Sequence, residues 1–261
     1  LFLDYHMARS GDHDVMFLFW FLLALYAFVR SWKKKDHSWW LISGIAAGFA
    51  IFTRGALGFF AVLIPLLSHI FFVAKSRVRA DKLDNRYSWQ RWLAWAFSWI
   101  LIGGSWHLFA YLTYGQQFID VYITEQFFSR ISGPLQGHAG PWWFYAQYLW
   151  ETVPFVTAAA VLMTLLWLGR YMIAFVKPKK ISRIRFTPQI MLLLVWVGLL
   201  GFSTAFMSTK LPWYILGAGP ALFLIAASAF KHPGAPRAFA TIGVAALLVF
   251  YGFQLPHRAT A

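Results

Sequence analysis

The chain has no cysteine in its 261 residues. A disulfide framework and a thiolate metal site are therefore both excluded. Charge is scarce as well. Charged residues make up 12%, with only 9 Asp and Glu, against about 25% charged in an ordinary soluble domain. No internal repeat or low-complexity tract is visible. The first residues, LFLDYHMARSGDHD, offer neither the basic n-region nor the apolar h-region of a signal peptide. No initiator Met stands at the front, and we expect the chain to be a fragment of a longer protein.

What the chain has in abundance is apolar and aromatic surface. Hydrophobic residues reach 60% and aromatics 20%, with 15 Trp and 27 Phe. About 20 apolar residues suffice to cross roughly 30 Å of hydrocarbon. Candidate spans fall at 15–30, 38–53, 56–74, 92–113, 152–176, 188–208, 212–230 and 236–255. The expected fold is all-α, a polytopic transmembrane bundle of about eight helices, taken as one domain over 1–261. The 15–30 segment is short for a span, so its ends must snorkel or Asp14 must sit in a protein-lined cavity.

The net charge of +14 does not indicate nucleic acid. No basic stripe carries interleaved stacking aromatics outside the apolar segments. The charges read instead as topology signals. If loop 31–37 is cytoplasmic, eighteen of the 23 Lys and Arg fall on that side, as the positive-inside rule requires. The outer basic set is only Arg9, Arg54, Arg130, Lys210 and Arg258. Most acids lie outside with them, among them Asp12, Asp14, Asp120, Glu125 and Glu151.

The stretch 114–151 is too polar to span and too aromatic for a free loop. Projected at 100° per residue, Gln116, Gln117, Asp120 and Thr124 share one stripe. That describes an interfacial helix on the outer face, with Glu125 on its apolar side. A carboxylate there is costly unless it meets a polar cavity. The following GPLQGHAGPWW must turn repeatedly, given its Gly and Pro content.

Four clusters could carry chemistry. Asp12 and Asp14 in SGDHD are N-cap residues or carboxylates at the mouth of the bundle. A lone His13 beside them is weak evidence for a metal. Arg54 in FTRGALG is an interfacial anchor or a phosphate ligand, a guanidinium being well suited to the second task. Glu125, Arg130 and His138 lie in the outer loop. Trp142, Trp143, Tyr145 and Tyr148 beyond them read as an aromatic belt or a sugar platform. Lys210 and Tyr214 in STKLPWYILGAGPAL are a snorkelling pair or a phosphate grip. Converging on one face, these cations and acids would suit glycosyl transfer from a polyprenyl phosphate. Nothing in the sequence requires a cofactor; the acids would tolerate a divalent cation. The rival readings are a secondary transporter and a non-catalytic membrane scaffold. The first wants charge at mid-span and the second needs no clustering of charge.

Four stretches together resemble a known class: ARSGDHDVMFLFWFLLAL at 8–25, AGFAIFTRGALGFFAVLIP at 47–65, EQFFSRISGPLQGHAGPWWFY at 125–145 and STKLPWYILGAGPAL at 208–222. The chain is similar to the bacterial GT-C class of polytopic glycosyltransferases, with the dolichyl-phosphate-mannose-protein mannosyltransferase-like and lipid A aminoarabinose transferase-like enzymes. That resemblance implies an inverting transferase with a lipid-phosphate-linked sugar donor. A protein, lipid A or another glycan would be the acceptor. Its place would be the bacterial cytoplasmic membrane, with the active site facing outward. Asp14 would match the family's acidic residue lining the cavity. Arg130, Lys210 and Tyr214 would match residues holding the lipid phosphate. Arg54 stands where the family usually has Lys, and Gly217 where it has Pro. The family's acceptor-activating acid belongs to a first outer loop upstream of residue 1, so the chain by itself is expected to be inactive.

Overall fold

The computed structural model describes residues 13–33, 37–78, 89–134, 137–176 and 188–228. Asp12, Arg9 and the expected span 236–255 lie outside them. Among the described residues the regular structure is helical, and the one β-type contact is an isolated bridge between Ala139 and Thr209. The protein is a polytopic membrane protein. Four helical runs are long and apolar enough to cross a bilayer: His13–Trp32, Ser38–Phe71, Trp89–Tyr114 and Gln189–Phe206. Two shorter apolar helical runs, Pro154–Gly169 and Pro212–Ser228, correspond to the expected spans 152–176 and 212–230.

Two compact units are formed. The first comprises Leu1–Tyr145 and Phe186–Ala218, the second Ala146–Arg185 and Gly219–Ala261.

In the first unit, α1 (His13–Lys33) has 21 residues, about 31 Å at 1.5 Å per residue. It begins and ends beyond the apolar run, and Asp14 in its first turn is buried in a protein-lined cleft, one of the two alternatives for so short a run. Helix α2 (Ser38–Arg54) ends at Gly55, whose φ of 50° puts it among the conformations that only glycine adopts without strain. A 3₁₀ turn, Gly55–Phe59, leads into α3 (Phe60–Val78). Gly58 lies so close to Ala50 and Ile51 that a Cβ there would collide with their backbone. In a straight helix, residues seven or eight apart stand about 10–12 Å from one another. The chain therefore doubles back at Gly55, and the run Ser38–Phe71 contains the hairpin expected between 53 and 56.

Small residues let α1, α2 and α4 (Trp89–Trp99) approach closely. Ala24, Ala27, Ala47 and Ala50 are fully buried. A Cβ on Gly44 would stand 2.5 Å from the Trp95 carbonyl oxygen, and one on Gly48 would stand 2.7 Å from Ile102 Cβ. Ser43 ties the three helices together: its Oγ donates to Ala24 O at 2.9 Å and accepts from Trp95 Nε1 at 3.2 Å. Both of its hydrogen-bonding roles are thus met inside the apolar layer. Aromatic rings of Phe28, Trp40, Trp92 and Trp95 fill the space beside it, with centroids 5.0–6.3 Å apart.

After α4 the helix widens to a π-turn, Ile100–Gly104, and continues as α5 (Ser105–Tyr114). Gly115 (φ 53°) breaks it. A single turn, α6 (Gln116–Phe118), then opens into a π-helix over Ile119–Ser129, followed by α7 (Arg130–Ser132). Helix α10 (Pro188–Phe206) and a 3₁₀ segment, Pro212–Ala218, complete this unit. Trp196 of α10 donates from Nε1 to Gly217 O at 2.8 Å and packs edge-on to Phe21 of α1. The second unit contains most of α8 (Phe144–Thr152), α9 (Pro154–Val176) and α11 (Gly219–Ser228), the last two packed together.

Candidate functional site

Packing α1 against α2 through a short connection sets the start of one beside the end of the other. Asp14 occupies the first turn of α1 and Arg54 the last turn of α2. Each side chain complements its own helix dipole, acid at the N-terminus and base at the C-terminus. Across the hairpin they meet in a salt bridge between Arg54 Nη1 and Asp14 Oδ1, with side chains 13% and 4% exposed. Arg54 Nη1 also lies 2.8 Å from Nε2 of exposed His13. A guanidinium only donates, so Nε2 is the acceptor. Burial makes the pair consequential, because removing either member would leave the other charge desolvated.

A third wall comes from far along the sequence. The 3₁₀ segment brings Trp213, Tyr214, Leu216 and Gly217 against this pair, and Leu200 of α10 supports them. With Phe17 and Leu57 they line a small cleft that is partly open. Three separate stretches thus contribute one anion-competent cation, one carboxylate and one phenol to a single apolar-walled site. Among the described residues no three His, Cys, Asp or Glu cluster closely enough for a metal ion.

Lys210 is not among the residues lining that cleft. It is 4% exposed, and its Nζ donates to Thr204 O at 2.8 Å and Ala205 O at 2.7 Å. These carbonyls belong to the last turn of α10, where they have no helical partner, and a cation suits the helix C-terminus. Burial pushes the Lys210 ammonium below its ordinary pKa. Its backbone is fixed too: Lys210 N donates to His138 O at 2.8 Å, Ser208 Oγ to Ile131 O at 2.6 Å and Thr209 Oγ1 to Gly133 O at 3.2 Å. Residues 131–138 are thereby strapped along 208–210. Tyr145 locks the next residue. Its hydroxyl donates to Leu211 O at 3.1 Å and accepts from Leu211 N at 3.2 Å. Burial raises the phenol's pKa far above 10, so it stays protonated and can donate.

The remaining sequence-derived candidates fall elsewhere. His138 is exposed, and its contribution to the strap is its carbonyl. Glu125 is exposed in the π-helix. The projection that put it on an apolar side assumed α-helical winding; i→i+5 bonding widens each turn and shifts the register. The polar stripe survives locally, with Gln116 Nε2 donating to Asp120 Oδ1 at 2.9 Å. Arg130 opens α7, and its side chain is not among those described. Asp12 lies outside the described residues. Of the proposed set, the cleft unites Asp14, Arg54 and Tyr214.

Sequence reading overlooked one connection. Tyr122, in the π-helix, rests its hydroxyl on Gly55, the residue after Arg54. His107 Nε2 lies 3.0 Å from that hydroxyl, and His107 Nδ1 lies 2.6 Å from Gly103 O. His107 was visible as a polar residue inside an apolar run, but its partners are 4 and 15 residues away, on a winding the periodicity does not report.

Residues 1–106 match the family model of dolichyl-phosphate-mannose-protein mannosyltransferase. An uncharacterized protein of Aquifex aeolicus (strain VF5) is 28% identical over 221 residues, which is 84% of this chain and 38% of that protein. ArnT from Cupriavidus metallidurans, solved bound to undecaprenyl phosphate, shares 16% identity with a TM-score of 0.62, over 91% of this chain and 40% of ArnT. The chain thus spans about two fifths of the length of these relatives. The GT-C resemblance drawn from the motifs is supported by the family match and by the shared fold.

Proposed function

We propose that this chain is part of a membrane glycosyltransferase that takes its sugar from a polyprenyl-phosphate donor. The observation that carries the reading is the cleft in which Arg54, Asp14 and Tyr214 meet. Arg54 presents a planar fork of five N–H donors, the geometry that suits a phosphate. Asp14 and His13 both engage it at Nη1, which fixes its plane. Tyr214 lines the cleft with them. As the glycosyl bond breaks, negative charge grows on the leaving phosphate, and a preformed guanidinium in an apolar-walled site stabilises it. Asp14, already paired, serves as the orienting group for Arg54. Activation of the acceptor hydroxyl falls to Asp12, Glu125 or a carboxylate upstream of this chain. The family match over residues 1–106 and the undecaprenyl phosphate named with ArnT support this donor class. The positive-inside count supports an outward-facing site, with a protein, lipid A or another glycan as acceptor.

The test is direct. The full-length protein in nanodiscs is titrated with a short-chain polyprenyl monophosphate, and Arg54→Met is compared with wild type. Loss of roughly tenfold or more in affinity, the effect of removing one charge-assisted contact, in a variant that remains folded at the assay temperature supports the site. Equal affinity for both proteins removes it.

A further inference from the structure

The hairpin turn that carries Arg54 is held from outside by a second element. Gly55 adopts φ 50°, and a Cβ at this position would collide with the Tyr122 hydroxyl oxygen while lying 3.1 Å from Tyr122 Cζ. The phenol therefore sits directly on the α-carbon of the residue after Arg54. Its ring is fixed by Phe118, stacked at 5.0 Å and 15°, and by Trp106 at 5.4 Å.

The hydroxyl is fixed as well. Gly103 O can only accept, so His107 Nδ1 carries the proton in that 2.6 Å contact. Nε2 of the same ring lies 3.0 Å from the Tyr122 hydroxyl, and the two are hydrogen-bonded. Both ends of this chain of contacts lie at π-helical segments, Ile100–Gly104 and Ile119–Ser129. Such windings are uncommon and are found frequently at functional sites. Here their effect is geometric: the first presents Gly103 O to His107, and the second turns Tyr122 inward from an otherwise mostly exposed helix.

We propose that Tyr122, oriented by His107, is a positioning residue for Arg54, so that the surface π-helix sets how well the cleft grips its phosphate ligand. This rests on the reading of Arg54 as the phosphate-binding cation. It adds a link from the π-helix to the donor site. Anything that shifts the π-helix would move the seat of Gly55 and with it the base of the Arg54 side chain.

The experiment uses the full-length protein in nanodiscs with a short-chain polyprenyl monophosphate as probe. Four variants are compared with wild type: Tyr122→Phe, His107→Leu, Gly55→Ala and the double variant Gly55→Ala with Tyr122→Phe. Tyr122→Phe and His107→Leu should each raise Kd about five- to tenfold, the consequence of one lost orienting hydrogen bond. Gly55→Ala should also weaken binding, through the collision with the hydroxyl. Adding Tyr122→Phe to Gly55→Ala should then improve binding, because the colliding oxygen is gone while the φ strain is the same in both. This reversal of sign is what a merely structural role would not produce. If Tyr122→Phe is harmful in both backgrounds, or harmless in both, the positioning role is overturned. Arg54→Met separates the two claims. If it loses the probe while Tyr122→Phe binds as wild type, this inference alone fails; if it binds normally, the phosphate site itself fails.

Discussion

The ammonium of Lys210 lies 5.6 Å from the centre of the Tyr145 ring, and the two side chains close the same joint. Lys210 caps the last carbonyls of α10, while the Tyr145 hydroxyl satisfies both backbone groups of Leu211. One residue further, the 3₁₀ segment begins that delivers Tyr214 to the cleft. The joint thus fixes where the third wall stands relative to Asp14 and Arg54.

Breaking the joint should cost stability. Tyr145→Phe leaves the buried Leu211 N–H without its partner and removes one of the two donors to Leu211 O, the other being Tyr214 N, a loss of about 1–3 kcal/mol. The check is thermal or denaturant unfolding of the full-length protein in detergent. A variant as stable as wild type would contradict the dual hydrogen bond.

The same joint should respond to pH. Burial lowers the Lys210 pKa from 10.5, so the unfolded chain keeps this proton to higher pH than the folded chain. Stability rises with pH wherever the unfolded state binds more protons. Wild type should therefore gain stability relative to Lys210→Met as pH climbs toward 10.5, and level off above it. Parallel stability curves for the two proteins between pH 7 and about 10 would contradict the buried ammonium.

The Asp14–Arg54 pair should be strongly non-additive. Either single substitution, Asp14→Ala or Arg54→Ala, strands a desolvated charge and should cost about 3–5 kcal/mol if the partner stays buried. The double variant should cost markedly less than the sum. A double-mutant cycle on unfolding free energy measures this, and additivity would show that the two charges do not interact.

Close packing of α2 on α4 gives a contrast between two glycines. Gly44→Ala drives a methyl to 2.5 Å from the Trp95 carbonyl oxygen and 2.9 Å from Ser98 Cβ, whereas a Cβ at Gly169 meets nothing within 4 Å. The first should destabilise by about 1–3 kcal/mol through overpacking. The second should be neutral or slightly stabilising, since Ala outranks Gly in a helix. Equal melting temperatures for both variants would contradict the close approach.

Several features were legible in the residues alone. Apolar runs of span length with scarce charge force helices, because backbone groups cannot stay unpaired in hydrocarbon. Arg54–Gly55 at the boundary of two such runs marks a hairpin, and the structure turns there. The motif stretches also pointed to the family that residues 1–106 match. The face of Glu125 was not legible in the same way, because the projection presumes α-helical winding and the segment is a π-helix.

Membership of the helices and the identity of the ionisable candidates were thus determined by composition and local pattern, which report each residue's own preference for lipid or water. Which candidates share a cavity was decided only by tertiary packing. Asp14, Arg54 and Tyr214 converge because α1, α2 and the 3₁₀ segment pack side by side. Lys210, equally conspicuous in the sequence, is held at the end of α10, because its ammonium donates to carbonyls that the helix leaves unpaired.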